Sequence, residues 1–189
     1  VEAVKSGMRD VLDFAESKAR RAIAAIPDGE YAFSDYVELL RDGHYAHILT
    51  TMRVQGDSVE IDFTGSDPQV AAAYNFTTGD RTHPYLVQAM VNYILTEEPD
   101  APRNGGILRP IKTVAPRGTI VNAELPAAGG ARVASSARVF DTILGCLDQA
   151  LPEGVLASGP GQIGIMALSA IDPRTGKTRV GVVNPLIGG

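Results

Sequence analysis

Three histidines, one cysteine, a carboxylate pair at strand spacing and several glycine-rich turns are the places where this chain could do chemistry. His44 and His47 lie three apart in a segment that reads as a strand, so they project to opposite faces and make a poor metal pair. His83 stands alone, and a structural or surface role is the default for all three. Cys146 falls among Ile143, Leu144 and Leu147 and reads as a small buried hydrophobe, not a nucleophile. No Ser-His-Asp or Cys-His order stands out, and Ser135-Ser136 reads as polar packing on a helix. Glu60 and Asp62 share one strand face, where a carboxylate pair holds a divalent ion or merely meets solvent. Glu60 adjoins a turn and is expected to be exposed. Asp62 is placed to cap the turn that follows it. Gly129-Gly130-Ala131-Arg132 opens a helix but lacks the lysine of a phosphate loop. It is either a tight packing turn or a backbone anion site with Arg132 or Arg138 as counter-charge. Asn75, and Asn104-Gly105-Gly106 with Arg109, either position a ligand or satisfy the backbone of their own loops. Residue type leaves these alternatives open.

The elements that must position these residues are read from periodicity. Val4, Met8, Val11, Leu12, Ala15, Ala19, Ala22, Ile23 and Ile26 recur at helical spacing, predicting a helix over residues 2–25 that stops before Pro27-Asp28-Gly29. So long a stripe needs a partner, in part on another chain. Strand begins at Tyr31 and Phe33, and Asp42-Gly43 marks a turn. His44 to Val54, the turn Gln55-Gly56-Asp57-Ser58 and Val59 to Phe63 form a hairpin, with Val59, Ile61 and Phe63 on one face. A helix is expected over 82–95, short strands over 108–114 and 119–122, and a longer helix from about Val133 that ends before Pro152. Ser158 to Gly161 reads as a glycine-rich turn. A second hairpin pairs 163–171 with 178–183. The expected fold is α+β: a mixed, largely antiparallel sheet with about three packed helices, in one domain over 1–189.

Composition narrows the classes. The 189 residues include 17 basic and 22 acidic ones, a formal charge of −5, which excludes a strongly basic nucleic-acid binder. One cysteine builds neither a disulfide framework nor a thiolate-rich metal site. No run of 18 apolar residues predicts a membrane helix, and no signal peptide stands at the start, so a cytoplasmic protein is expected. The chain opens at Val1 in mid-helix pattern and stops at Gly189 in a turn-rich run, and on that reading it is a piece of something longer.

An ordered set of segments then carries a resemblance. It runs through Ile26-Pro27-Asp28-Gly29-Glu30-Tyr31, Val59 to Ser66, Gln69, Asn75 and Pro102-Arg103-Asn104-Gly105-Gly106. It continues through Arg109-Pro110-Ile111, Pro116-Arg117-Gly118-Thr119, Asn122, Pro126-Ala127-Ala128 with Gly130 and Arg132, and Ala157-Ser158-Gly159. No single segment is specific, but in this order they resemble the later part of the hydantoinase B/oxoprolinase (HyuB) family.

The resemblance implies a chain that works with a HyuA-type partner carrying ATP and Mg, in a higher-order hetero-oligomer. The pair would open cyclic amides such as hydantoins, N-methylhydantoins, 5-oxoproline or lactams once ATP has phosphorylated the substrate oxygen. Asp62, Asn104 and Arg109 match the family's recurrent polar positions and are the expected catalytic residues. Asn75 and Arg132 match in the same way and are the expected cofactor-binding residues. No metal ligand and no bound cofactor are expected in this segment. The family's metal-binding region is similar to Asn-Asp-Pro and His-His-Ala-Asp motifs that would lie before Val1, so the chain alone is expected to be inactive. Three alternatives stand beside this: a segment of an ATP-dependent acetone or acetophenone carboxylase, a non-catalytic interface segment of such a complex, and a free-standing small-molecule binding domain.

Overall fold

The computed structural model describes residues 2–39, 44–154 and 163–187. The apolar stripe at the start forms α1 (Glu2–Ile23). Its second half buries Ala15, Ala19, Ala22 and Ile23, whereas Val4, Met8, Val11 and Phe14 remain exposed. Only part of the stripe thus finds its cover within the described residues.

Four strands follow: β1 (Gly29–Glu38), β2 (Tyr45–Gln55), β3 (Ser58–Asp62) and, much later, β4 (Ile111–Val114). They lie side by side in chain order. The first two pairings are antiparallel and β3 to β4 is parallel. The predicted hairpin is present, with Val54 opposite Val59 and Gly56 turning at φ 58°. Alternation sets the core face, where Ala46, Ile48, Thr50, Met52 and Val54 of β2 and Val59 and Ile61 of β3 are all buried. α3 (Arg132–Ala150) lies over β1 and β2 on this face. Where they meet, the hydroxyls of Thr50 and Thr142 pair at 2.7 Å. Cys146 packs against the same strand with its thiol fully buried, and burial pushes its pKa up to about 12, consistent with an inert core residue. The other face carries a cross-strand ion ladder. Arg53 of β2 contacts Glu30 of β1 at 2.7 Å, and Glu60 and Asp62 of β3 at 3.1 and 3.0 Å, while Lys112 of β4 closes onto Glu60.

α2 (Gln88–Glu97) packs on α1 and α3, and β5 (Ile163–Ile171) pairs with β6 (Thr178–Ile187) as a separate two-stranded sheet. The second hairpin is therefore present, with its outer strand longer than predicted. Three helices with a mixed four-stranded sheet and this small sheet make an α+β fold.

Four local expectations change. The helix over 82–95 becomes a 3-10 turn at Pro84–Leu86 followed by α2, because Val87, at φ −135°, interrupts the helical path. The strand expected over 108–114 is shorter: Leu108 ends a 3-10 turn over 105–108 that Asn104 caps, and β4 begins only after Pro110. Residues 119–122 make isolated bridges and no strand: Ile120 and Val121 are both buried, so the alternation a half-buried strand needs is absent. His44 precedes β2 and is not part of it. The expected turns at Asp42-Gly43 and Ser158 to Gly161, and the matching Ala157-Ser158-Gly159, lie outside the described residues.

α1 is tied to the end of α2 by ions. Lys18 contacts Glu98 at 3.0 Å and Asp100 at 2.7 Å, and Arg21 grips the same Glu98. Arg21, and after it Lys18, hold the Glu98 carboxyl at about 2, against an ordinary 4.5. A depressed carboxyl contributes stability that is present above pH 4.5 and lost as pH falls toward about 2. Glu98→Gln is accordingly expected to flatten the acid limb of stability in that window and to leave its pH dependence near neutrality alone. Urea midpoints collected across pH check this, and parallel curves for the two proteins would refute it.

Candidate functional site

Two of the five sequence-predicted site residues, Asn75 and Arg132, meet at one cavity of about 650 Å³. Its walls come from two stretches far apart in the chain, 75–85 and 125–132. Asn75 joins them. Its side-chain carbonyl accepts the Val70 amide at 2.8 Å, and its amide group donates to the carbonyls of Val70, Ala72 and Ala128 at 2.7, 3.1 and 2.9 Å. The side chain is thus spent on backbone, which is the loop-bracing alternative for this residue. Gly129 sits so close that a Cβ there would be 2.8 Å from the Asn75 carbonyl oxygen. The start of α3 is moored to the same segment, the Ala131 amide donating to Ala73 O at 2.7 Å and the Ser135 hydroxyl to Tyr74 O at 2.7 Å. Ser135 is the polar packing residue expected of it, and the glycine run before α3 is a packing turn.

On the opposite wall the His83 Nδ1 accepts the Tyr85 amide at 3.2 Å and starts the 3-10 turn. An accepting Nδ1 places the proton of the neutral ring on Nε2, an assignment that follows from this bond. Burial lowers the pKa of His83, and the nearby Arg132 charge lowers it further, both favouring the neutral ring. Tyr85 is the centre of an aromatic cluster, with Phe76 at 5.8 Å and His83 at 5.2 Å between ring centroids. The Arg132 guanidinium lies 5.9 Å from the Tyr85 ring centre, a cation–π distance, and its Nη1 donates to Gly129 O at 2.9 Å. Residue spacing does not single out His83 and Tyr85 as site residues. Their one signal is a histidine and an aromatic flanking Pro84, the composition of a capped turn and not of a helix interior.

The arrangement binds better than it reacts. The lining holds no acidic side chain, cysteine or serine; among its threonines Thr78 donates to Val121 O, and its histidine accepts the Tyr85 amide, so the two are not joined as a base and nucleophile. Among the described residues no three His, Cys, Asp or Glu side chains come together as a metal donor set. What the cavity offers is an apolar aromatic wall, a neutral imidazole and one cation.

The profile of the Hydantoinase B/oxoprolinase family matches residues 1–189. The chain belongs to the hydantoinase B/oxoprolinase family. It is 30% identical over 177 residues to the B component of a candidate D-/L-hydantoinase from Pseudomonas sp. (strain NS671), covering 89% of this chain and 30% of that protein. It is 27% identical over 140 residues to 5-oxoprolinase 1 of Arabidopsis thaliana, covering 71% of this chain and 11% of that one. The fold is shared with the crystal structure of an ATP-dependent caprolactamase from Pseudomonas jessenii. The TM-score is 0.79 at 24% identity, over 95% of this chain and 31% of that one. The chain thus spans less than a third of the length of each of these relatives.

Within this hydantoinase B/oxoprolinase chain the three expected catalytic residues lie apart from the cavity of Asn75 and Arg132. Asp62 is on the laddered sheet face, where its carboxylate accepts the Thr64 amide at 2.8 Å and Arg53 at 3.0 Å. Partial burial works against its ionisation, but the Thr64 and Arg53 hydrogen bonds outweigh it and hold its pKa below the ordinary value. The expected turn cap is therefore present. Asn104 caps the 3-10 turn through the Gly106 amide at 2.8 Å and reaches Val11 O at 3.3 Å. It also borders a second cavity, between α2 and α3, walled largely by Leu95, Ile107, Leu108, Phe140 and Leu144. Arg109 is drawn to α1, contacting Asp13 at 2.6 Å and Glu16 at 2.9 Å. Arg138, the other candidate counter-charge at the start of α3, is held by Asp35 and Asp141.

Proposed function

We propose that this chain is part of the B-type component of an ATP-dependent cyclic amide hydrolase that works with an A-type, ATP-binding partner. The observation that carries this reading is the family match over residues 1–189. The names borne by its relatives, a hydantoinase B component and a 5-oxoprolinase, agree with it.

The chemistry divides sensibly between two proteins. An amide carbonyl resists attack until its oxygen is activated, and phosphoryl transfer to that oxygen needs metal and basic clamps. ATP and Mg belong on the partner in this scheme. The present residues contribute the cavity at Arg132 and Tyr85, where a ring can lie against an aromatic wall. A metal donor set, if the reaction uses one on the B-type component, comes from elsewhere than the described residues.

Co-expression of the full-length B protein with its A partner is expected to give ring opening of hydantoin, 5-oxoproline or a lactam that depends on ATP. Carboxylation of a ketone with no ring opening would move the protein to the carboxylase alternative. The same complex tests the family-matched residues. Asp62→Asn, Asn104→Ala and Arg109→Ala should each depress turnover if those residues are catalytic, and unchanged turnover in a stable complex would reduce them to the bracing roles that their contacts describe. An interface role is supported by a separate observation, the exposed Val4, Met8, Val11 and Phe14 of α1.

A further inference from the structure

We infer that the β5–β6 hairpin is an open sheet completed by a further strand of the same full-length polypeptide, from outside residues 1–189, which pairs along the free edge of β5. Among the described residues the two strands pair only with each other. A two-stranded hairpin on its own is marginal in water, and a third strand or a packed face is the usual requirement. This one has neither at its outer end. From Leu168 to Gly181 every residue except Asp172 is exposed, on both faces of the sheet. Ile171 and Val180, 71% and 67% exposed, lie on one face with Ser169 and Thr178. Leu168, 56% exposed, lies on the other with Ala170, Arg179 and Gly181. The tip is nonetheless built to hold its shape. The Asp172 carboxylate accepts the Arg174 amide at 2.9 Å and contacts Arg179 at 3.0 Å. Its carbonyl accepts the Gly176 amide at 2.8 Å, and Gly176 turns at φ 65°. A fixed hairpin with bare apolar side chains on both faces is an interaction surface.

The two edges are not alike. β6 carries Arg179 near the tip, and Pro185, which has no N–H to donate, near its base. Leu168-Ser169-Ala170-Ile171 of β5 has no charge, proline or glycine, so it offers an incoming strand the unguarded row of N–H and C=O groups. The occupant follows from the lengths and from the two faces. This chain covers 30% of the hydantoinase B component and 31% of the caprolactamase chain. It shares the fold of the latter over 95% of its own residues, a share too large to leave the hairpin out. Relatives of that length hold ample chain to supply a strand, tethered and therefore at high effective concentration. A second copy pairing edge to edge would lengthen the sheet and still leave Leu168 bare on one side and Ile171 and Val180 bare on the other. A larger body of the same polypeptide can pair the edge and cover a face together.

Hydrogen exchange on the full-length B protein, read residue by residue, tests this without any substitution. An open edge leaves alternate amides between Leu168 and Ile171 free, because those facing away from β6 have no acceptor. A paired edge protects all of them. The outward amides are then expected to exchange at least about tenfold more slowly than unbonded amides of the same sequence, the scale of one backbone hydrogen bond. This protection should persist on dilution and without the A-type protein. Alternating protection would overturn the inference. Protection that fades on dilution would give the edge to a second copy, and protection gained only on adding the A-type protein would give it to that partner. Either result overturns pairing within the chain. For an oligomer that dilution does not dissociate, amine cross-linking from the exposed Lys177 in a mixture of unlabelled and isotope-labelled protein makes the same distinction. Cross-links to residues outside 1–189 that carry a single isotope support the inference, and cross-links that only ever carry both isotopes overturn it.

Discussion

Gly106→Ala is expected to cost about 2–4 kcal/mol of folding stability, the upper range for overpacking a tight contact. Gly106 lies in the 3-10 turn that packs on α1, and a Cβ built there would overlap the Leu12 carbonyl oxygen and stand 2.9 Å from its carbon. Those are backbone atoms of a helix, so no side-chain rotation relieves the clash. The turn would have to move off α1, loosening the Asn104 contact with Val11 O and the Arg109 contacts with Asp13 and Glu16. The neighbouring glycine supplies the control. A Cβ on Gly105 meets nothing within 4 Å, so Gly105→Ala should change stability by no more than about 0.5 kcal/mol. Denaturant midpoints for the two variants decide the matter, and equal shifts would refute the close-approach argument.

The second large effect is expected at Phe76. Its side chain is 1% exposed, its amide donates to Ile120 O at 2.9 Å, and its ring meets Tyr85 at 5.8 Å. Phe76→Ala removes a buried ring and leaves a void, for an expected loss of about 3–5 kcal/mol. Because Phe76 also walls the cavity, a smaller change separates stability from binding. Phe76→Leu should cost about 1.5 kcal/mol, keep the fold and still weaken binding of any cyclic amide held in this cavity, since the aromatic pair with Tyr85 is lost. Thermal denaturation alongside calorimetry reads both quantities. Unaltered binding in Phe76→Leu would remove this wall from the site.

Local patterns with strong periodicity are legible in the residues themselves. Val59, Ile61 and Phe63 alternate cleanly and flank a glycine turn, so the β2–β3 hairpin and its buried face follow from spacing alone. α1 and α3 are legible for the same reason at helical period. What spacing does not encode is pairing at a distance. Nothing in residues 58–62 announces that Ile111–Val114 will lie parallel beside them. Pro84 misleads in a specific way: it does open a helical turn, but a 3-10 one, because the His83 ring caps it and Val87 then leaves the helical path. Thr119-Ile120-Val121 looks like a strand because of its β-branched residues, while in the fold both apolar side chains turn inward together.

The site is legible in part, and for a physical reason. Arg132 and Asn75 stand out by type and by family pattern, but 57 positions of sequence separate them and only the packing of α3 on segment 73–75 brings them together. Asn75 is recognisable as a brace only from its contacts, since all its side-chain polar atoms go to backbone. Asp62, Asn104 and Arg109 illustrate the same point. Polar residues in tight turns look alike whether they hold a ligand or hold the turn, and only their hydrogen-bond partners tell the two apart.

Because β4 lies parallel to β3, the chain must leave the sheet at Phe63 and re-enter it at Ile111. One wall of the cavity is carried in that excursion, and the other arrives only with residues 125–132, after re-entry. Long-range contacts of this kind bring no return until a large loop has been closed, which places them late in assembly. A nascent chain that has completed the β1–β2–β3 meander therefore has a sheet but no binding site. The capacity to hold a ligand is therefore completed only when the start of the third helix docks on segment 73–75.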